Sequence, residues 1–221
     1  MTEEVLYKVI KNAISKELAE FCYEYLRLKS RAVAIMYNRK EFTKRNVYLG
    51  YFDDPQVPGC YSMYADPVME TLLIKVLPKL QECLDKELVP TYSYCRFYRK
   101  GCELKRHKDR DSCEISTTLH LGGDPWPIYL EPDHTKGRDT PNGYMSEQTK
   151  GIQIDLEPGD LLMYYGKNLE HWREPFKKDK CAQVFLHYNN LNGPLKNTNL
   201  FDRRLELGLP SVRKKLDVPK I

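Results

Sequence analysis

The chain has 221 residues, a charged fraction of 30% and a formal net charge of +4. That length can bury a core, the dispersed positive charge does not mark a nucleic-acid binder, and no apolar run approaches the roughly twenty residues of a membrane span. Seven cysteines, at 22, 60, 83, 95, 102, 113 and 181, form no C-x-x-C pair, and MTEEVLYKVI lacks a signal-peptide core. Together these predict free thiols in a reducing cytoplasm and no zinc site built from cysteine. Sixteen tyrosines fit a β-rich protein.

In chain order, residues 15–29 carry apolar residues at Leu18, Phe21, Cys22, Tyr25 and Leu26, a helical spacing with Ser15 as N-cap. From Asn38 to Asp66 the pattern breaks into Gly, Pro and Asp, a long connection with a short strand at Val47 to Tyr51. Asp66-Pro67 then opens a second helix, and Val68, Leu72, Leu73, Val76, Leu80, Cys83 and Leu84 form its apolar stripe, kinked at Pro78. Both helices read as supports for a sheet.

From Val89 the period becomes two. Strands are expected at Thr91–Tyr98, 103–107, 114–121, 128–131, 152–156, 160–164 and 181–188, separated by Gly, Pro and Asp punctuation. So many short strands with few helices between them suggest a jelly roll of two sheets. Residues 134–150 read as an exposed loop and the chain after Asn189 as a solvated, partly ordered basic tail rather than a nucleic-acid arm. The division is therefore 1–88 as helical support, 89–190 as the β core and 191–221 as the tail, all in one compact domain.

His107-Lys108-Asp109 closes the strand at 103–107. Alternate residues of a strand share a side, so the imidazole and the carboxylate can grip one metal ion. His171, after a Pro-Gly-Asp turn and the apolar run LLMYYG, is the best third ligand. Two His and one carboxylate make the facial triad of non-haem Fe(II) oxygenases. An H-x-D pair alone arises often by chance, and its context in the chain raises its weight. His120 and His187 read as hydrogen-bonded sheet residues, and His134 has no partner pattern.

The pieces YRKGCELKRHKD, CEISTTLHLG, EPGDLLMYYG, EHWREPF and KCAQVFLHY together resemble the Fe(II)/2-oxoglutarate-dependent dioxygenases. Within them the chain is similar to the prolyl 4-hydroxylase-like group, in the compact form that bacteriophages carry. The resemblance runs from about Pro90 to Tyr188. It implies a double-stranded β-helix with supporting helices, with iron held by His107, Asp109 and His171. It also implies Fe(II), 2-oxoglutarate and O2 as reactants, with ascorbate as an accessory reductant. The distal carboxylate of 2-oxoglutarate falls to Lys180, nine positions past His171, with Lys178 as fallback and a solvated strand-end lysine as the plain alternative. Tyr98 matches a tyrosine that binds the same carboxylate, or is simply core. Arg173 and Trp172 would orient the iron ligand or line the substrate mouth. The implied reaction splits 2-oxoglutarate to succinate and CO2 and hydroxylates a C–H bond, with peptidyl proline as one candidate and a small molecule as another. Nucleic-acid demethylation by the same chemistry and a non-catalytic metal-binding module stay as alternatives. Location would be cytoplasmic, in a host cell if phage-encoded, with no membrane partner.

Overall fold

Alternating side chains from residue 88 onward build two antiparallel sheets in the computed structural model, which describes residues 6–42, 45–195 and 199–210. The larger sheet is centred on β14 (Lys180–Asn190), which pairs with β5 (Leu88–Arg99) on one side and β7 (Ile115–Gly123) on the other. Beyond β7 lie β12 (Leu161–Tyr164) and β1 (Tyr7–Ile10); beyond β5 lie β4 (Tyr61–Tyr64), β3 (Gly50–Tyr51) and β2 (Arg45–Asn46). The smaller sheet runs β11 (Ile152–Ile154), β8 (Ile128–Leu130), β13 (His171–Arg173), β6 (Leu104–His107). From β5 onward the chain passes repeatedly between the sheets, a jelly-roll-like arrangement that brings strand ends distant in sequence to one mouth.

Two helices cover one face of the larger sheet. In α1 (Lys16–Asn38) the Ser15 hydroxyl accepts from the Leu18 amide at 3.2 Å. In α2 (Pro67–Leu84) the Asp66 carboxylate accepts from the amides of Val68 at 2.9 Å and Met69 at 3.2 Å. Those caps satisfy amides that no helical carbonyl can reach. The helix α1 runs on past Lys29 because Val33 continues the buried stripe, and α2 carries Pro78 inside without ending there. Leu26, Leu73, Val76 and Leu80 pack with Leu119, Leu121, Val184 and Leu186 of the sheet. Fully burying one such side chain is worth about 1.5–3 kcal/mol. On β14 the even residues Ala182, Val184 and Leu186 face this helical core, and the odd residues Cys181 and Phe185 face the interior between the sheets.

Three expectations need correction. Residues 134–150 are not all loop, since β9 (Arg138–Thr140) and β10 (Gly143–Met145) form a hairpin. The cysteines are not all free: the segment before β4 folds onto the turn between β5 and β6, where Cys60 and Cys102 form a disulfide beside Val57 and Tyr98. The described part of the tail is buried more deeply, at Asp202 and Arg204, than a solvated segment would be. Arg204 forks onto Glu70 at 2.7 and 3.1 Å with both side chains buried, and Asp202 accepts from Tyr64, Ser112 and both terminal nitrogens of Arg110. Arg213, Lys214, Lys215 and Lys220, the rest of the expected basic tail, lie outside the described residues.

Candidate metal centre

Strands β6 and β13 pair so that His107 and His171 stand directly opposite one another, with ring centroids 4.2 Å apart. Asp109 follows β6 at once, and its amide donates to the Gly166 carbonyl at 2.9 Å, which turns the carboxylate back toward both rings. Asp109 Oδ1 lies 3.5 Å from His107 Nε2 and 3.6 Å from His171 Nε2. One donor atom from each of the three residues falls within 4.8 Å of the others.

The other polar atoms of these side chains are already engaged. His107 Nδ1 donates to the Lys105 carbonyl at 2.8 Å and His171 Nδ1 to the Leu169 carbonyl at 3.0 Å. A carbonyl accepts only, so Nδ1 carries the proton in each ring and the Nε2 lone pair of the neutral ring is left to point inward. Asp109 Oδ2 accepts from Ser116 Oγ at 2.7 Å, and the same hydroxyl meets His187 Nδ1 at 3.0 Å. A β-carbon at Gly166 would collide with both Asp109 Oδ2 and Ser116 Oγ, so glycine is required there for close approach.

Protonation states suit a cation. Burial pushes His171 down to about 4, with the adjacent His107 helping, so the ring is neutral near pH 7. Burial alone would raise Asp109, but His171 and His107 overcome it and hold the carboxyl well below the usual range. An ionised carboxylate and a neutral imidazole with a free nitrogen are the forms that bind metals. Two nitrogens and one oxygen on one side of a site suit Fe(II), and three protein ligands leave coordination positions open.

The triad lines a cavity of about 190 Å3, whose wall also includes Asp54, Gln56, Tyr94, Arg96 and Phe185. Asp54 accepts from Tyr94 at 2.6 Å and Arg96 at 2.6 Å, so a buried ion pair forms part of that wall. Burial works to raise the Asp54 carboxyl, but Arg96 and its hydrogen bonds hold it low. A second hollow of about 540 Å3, lined by Lys108, Arg110, Lys167 and Asp202 among others, meets the first at Asp109.

Arg173 shares a strand face with His171 and is only 1% exposed. It donates to the Trp126 carbonyl and, at 3.2 Å, to Thr118 Oγ1. Among the described residues its Nε has no hydrogen-bond partner, and no carboxylate is among the groups whose charge acts on it. Burial alone lowers its pKa, against Cys181, Tyr98 and Tyr164. Tyr98, fully buried edge-on to Trp126, has a hydroxyl with no partner in good hydrogen-bond geometry.

Several sequence expectations are met differently here. Lys180 starts β14 on the helix-facing side, with its ammonium 3.0 Å from Asp179 and half exposed. The inward residue at that strand end is Cys181, so Lys180 is not brought to the triad. Lys178 is exposed and its charge bears on Asp124. Arg173 lies deep in the interior rather than at a mouth, and Trp172 points to the outer side, stacked on Tyr129 and under Arg106 at 3.4 Å. Sequence reading missed Arg96, whose inward side was legible from its alternation with Tyr94 and Tyr98. It missed Asp54, which sits in a connection without periodicity. His187 was read as a sheet histidine, yet it lines the cavity and with Asp109 and Cys113 forms a second close group of donor atoms. That group is already satisfied, since His187 meets Ser116 and Cys113 lies 3.0 Å from the Tyr92 hydroxyl.

No protein-family model matches the chain, and no curated protein matches it in sequence. Solved structures do match in shape. HygX from Streptomyces hygroscopicus, with nickel and 2-oxoglutarate bound, is 13% identical with a TM-score of 0.59, over 86% of this chain and 85% of that one. The epimerase SnoN, in complex with Fe3+, alpha-ketoglutarate and nogalamycin RO, is 10% identical with a TM-score of 0.59, over 85% and 80%. AviO1 from Streptomyces viridochromogenes Tue57 is 12% identical with a TM-score of 0.57, over 85% and 91%. At these identities the likeness is one of fold, and the chain shares the fold of these three proteins.

Proposed function

We propose that the protein is an Fe(II)- and 2-oxoglutarate-dependent oxygenase that hydroxylates an unactivated C–H bond, with iron held by His107, Asp109 and His171. The observation that carries this reading is the convergence of three donor atoms whose side chains are otherwise fully engaged. A structural metal site is usually closed by four protein ligands, whereas a site with three leaves room for reactants, which disfavours a purely structural metal. The metal and 2-oxoglutarate bound to HygX and SnoN, on the same fold, support it further.

Iron with 2-oxoglutarate and O2 would supply the oxidation, yielding succinate, CO2 and a hydroxylated product. The chain's own residues do the rest. Lys105 and Leu169 carbonyls fix both imidazoles, and Ser116 fixes the carboxylate. Arg173, a buried cation with an idle Nε, is the proposed anchor for the distal carboxylate of 2-oxoglutarate, with the Tyr98 hydroxyl as a second donor. A buried charge without a partner is costly, and a bound carboxylate would relieve that cost. Leu104, Tyr164 and Phe185 supply apolar parts of the cavity wall, which strengthen the electrostatic interactions beside them. The hollow beyond Asp109 is the proposed approach for substrate. Peptidyl proline is the specific substrate that the sequence resemblance suggests, and ascorbate would keep the iron reduced.

Anaerobic titration of the apo-protein with Fe(II) and then 2-oxoglutarate tests the proposal. A visible charge-transfer band that needs both additions is the expected result. Folded, iron-loaded protein with no band would overturn it in favour of a metal-binding module. Candidate substrates follow as separate assays, with proline-containing peptides first and methylated oligonucleotides as the competing class.

A further inference from the structure

The 23-residue helix α1 packs one face on the sheet, and among the described residues nothing covers the other. On the bare face Phe21, Leu28 and Ile35 are 63%, 68% and 53% exposed. They recur at heptad spacing, which on a straight helix drifts only about 20° per step, so the three form one stripe. Charged residues flank it in order: exposed Glu17 and Glu24 lie toward the N-terminus, exposed Arg31 and Arg39 toward the C-terminus. The arrangement is symmetric in position and opposite in charge about Leu28. Phe21 and Ile35 lie equally far from it, as do Glu17 and Arg39, while Glu24 and Arg31 differ by one residue.

We infer that this face docks on the same face of a second copy, the two α1 helices crossing antiparallel with Leu28 on the two-fold axis. Leu28 then meets its own copy, Phe21 meets Ile35, and each acidic end lies beside a basic end. A two-fold interface must be complementary to itself, and only the antiparallel direction makes this stripe so. A parallel pairing would set Glu17 on Glu17 and Arg39 on Arg39. Within the monomer Glu24 pairs with Arg27 at 2.5 Å and Arg39 approaches Glu41 at 3.9 Å, exposed contacts that can be exchanged at little cost. A single helix pair buries less than the roughly 800 Å2 per partner of a standard interface, so the dimer is one that dissociates on dilution. The helix lies on the face of the large sheet away from the triad, so pairing leaves both metal sites open.

Sedimentation of the full chain over a dilution series tests this independently of the iron chemistry. Wild-type protein is expected to move from dimer to monomer on dilution. Leu28→Glu, which sets two carboxylates at the axis, is expected to sediment as monomer at every concentration with an unchanged far-ultraviolet spectrum. Glu17→Lys with Glu24→Lys makes the stripe all basic, and Arg31→Glu with Arg39→Glu makes it all acidic. Each double variant alone is expected to be monomeric, and an equimolar mixture of the two to restore the dimer. A wild-type chain that is monomeric throughout, or a dimer that survives all three variants, overturns the inference. A mixture that fails to pair while each variant is folded overturns the pairing through these charged ends.

Discussion

The two ends of the barrel interior treat their polar atoms in opposite ways. At the triad, ring nitrogens and carboxylate oxygens that do not face the centre are all hydrogen-bonded to the protein. Deeper in, among the described residues, Arg173 Nε is buried without such a partner and the Tyr98 hydroxyl has none in good geometry. Satisfied atoms hold a neighbour in place, while unsatisfied ones cost free energy until something arrives to meet them. The first end therefore reads as a rigid holder and the second as a receptor.

Removing a holder should have the largest effect. His171→Ala or Asp109→Ala is expected to abolish iron binding and turnover with the fold retained, as read by metal content and circular dichroism; full activity in either would mean different ligands. Removing the receptor should separate affinity from stability. Arg173→Met is expected to weaken 2-oxoglutarate binding by about 10–100-fold, the worth of a charged hydrogen bond or two. The same change should raise the melting temperature of the apo-protein, since it deletes an unpaired buried charge. Lys180→Ala should alter affinity by less than about twofold, in line with surface changes generally. If Lys180 proves the more sensitive of the two, the contrast between the ends is wrong.

Loosening the holder without removing a ligand comes next. Ser116→Ala should lower iron affinity by about tenfold, the usual worth of a residue that orients a ligand, and calorimetric titration would show it. The smallest effect is on pH dependence. Burial pushes His120 down to about 4 from 6.5, assisted by the Arg173 charge. Between those values the unfolded chain binds a proton that the native protein does not, so stability falls as pH drops through that window. His120→Gln should flatten the slope of unfolding free energy there by about 1.4 kcal/mol per pH unit. An unchanged slope in urea titrations would show that His120 is not held neutral.

Legibility in the sequence followed signal strength. Asp66-Pro67 announced α2 because capping chemistry is local. The long strands showed through alternation, and so did the pairing of His107 with Asp109. The three residues of β13 are too few for any period to show, although they carry His171. The hairpin β9–β10 was hidden because each of its strands has three residues, too few for alternation to show. Lys180 was chosen by counting from His171, but a count does not fix which side of a strand a residue faces. Arg173 was noticed only for its nearness to His171, since a buried cation without a carboxylate can be recognised only in three dimensions. The Cys60–Cys102 disulfide was beyond reach for the same reason, because it joins segments separated by 42 positions.

The clamp on Asp202 has a consequence for how the protein is made. Arg110, next to the proposed ligand Asp109, is gripped by a residue 92 positions further along. His107 waits similarly for His171, and β5 for β14. Contacts of such separation form slowly, because the loops between them must close first. A ribosome must therefore deliver the chain through Asp202 before the pocket can take its full shape. Until then His107 and Asp109 sit on a nascent strand with His171 not yet across from them, and any metal the proposed site takes would be captured late in the birth of the protein.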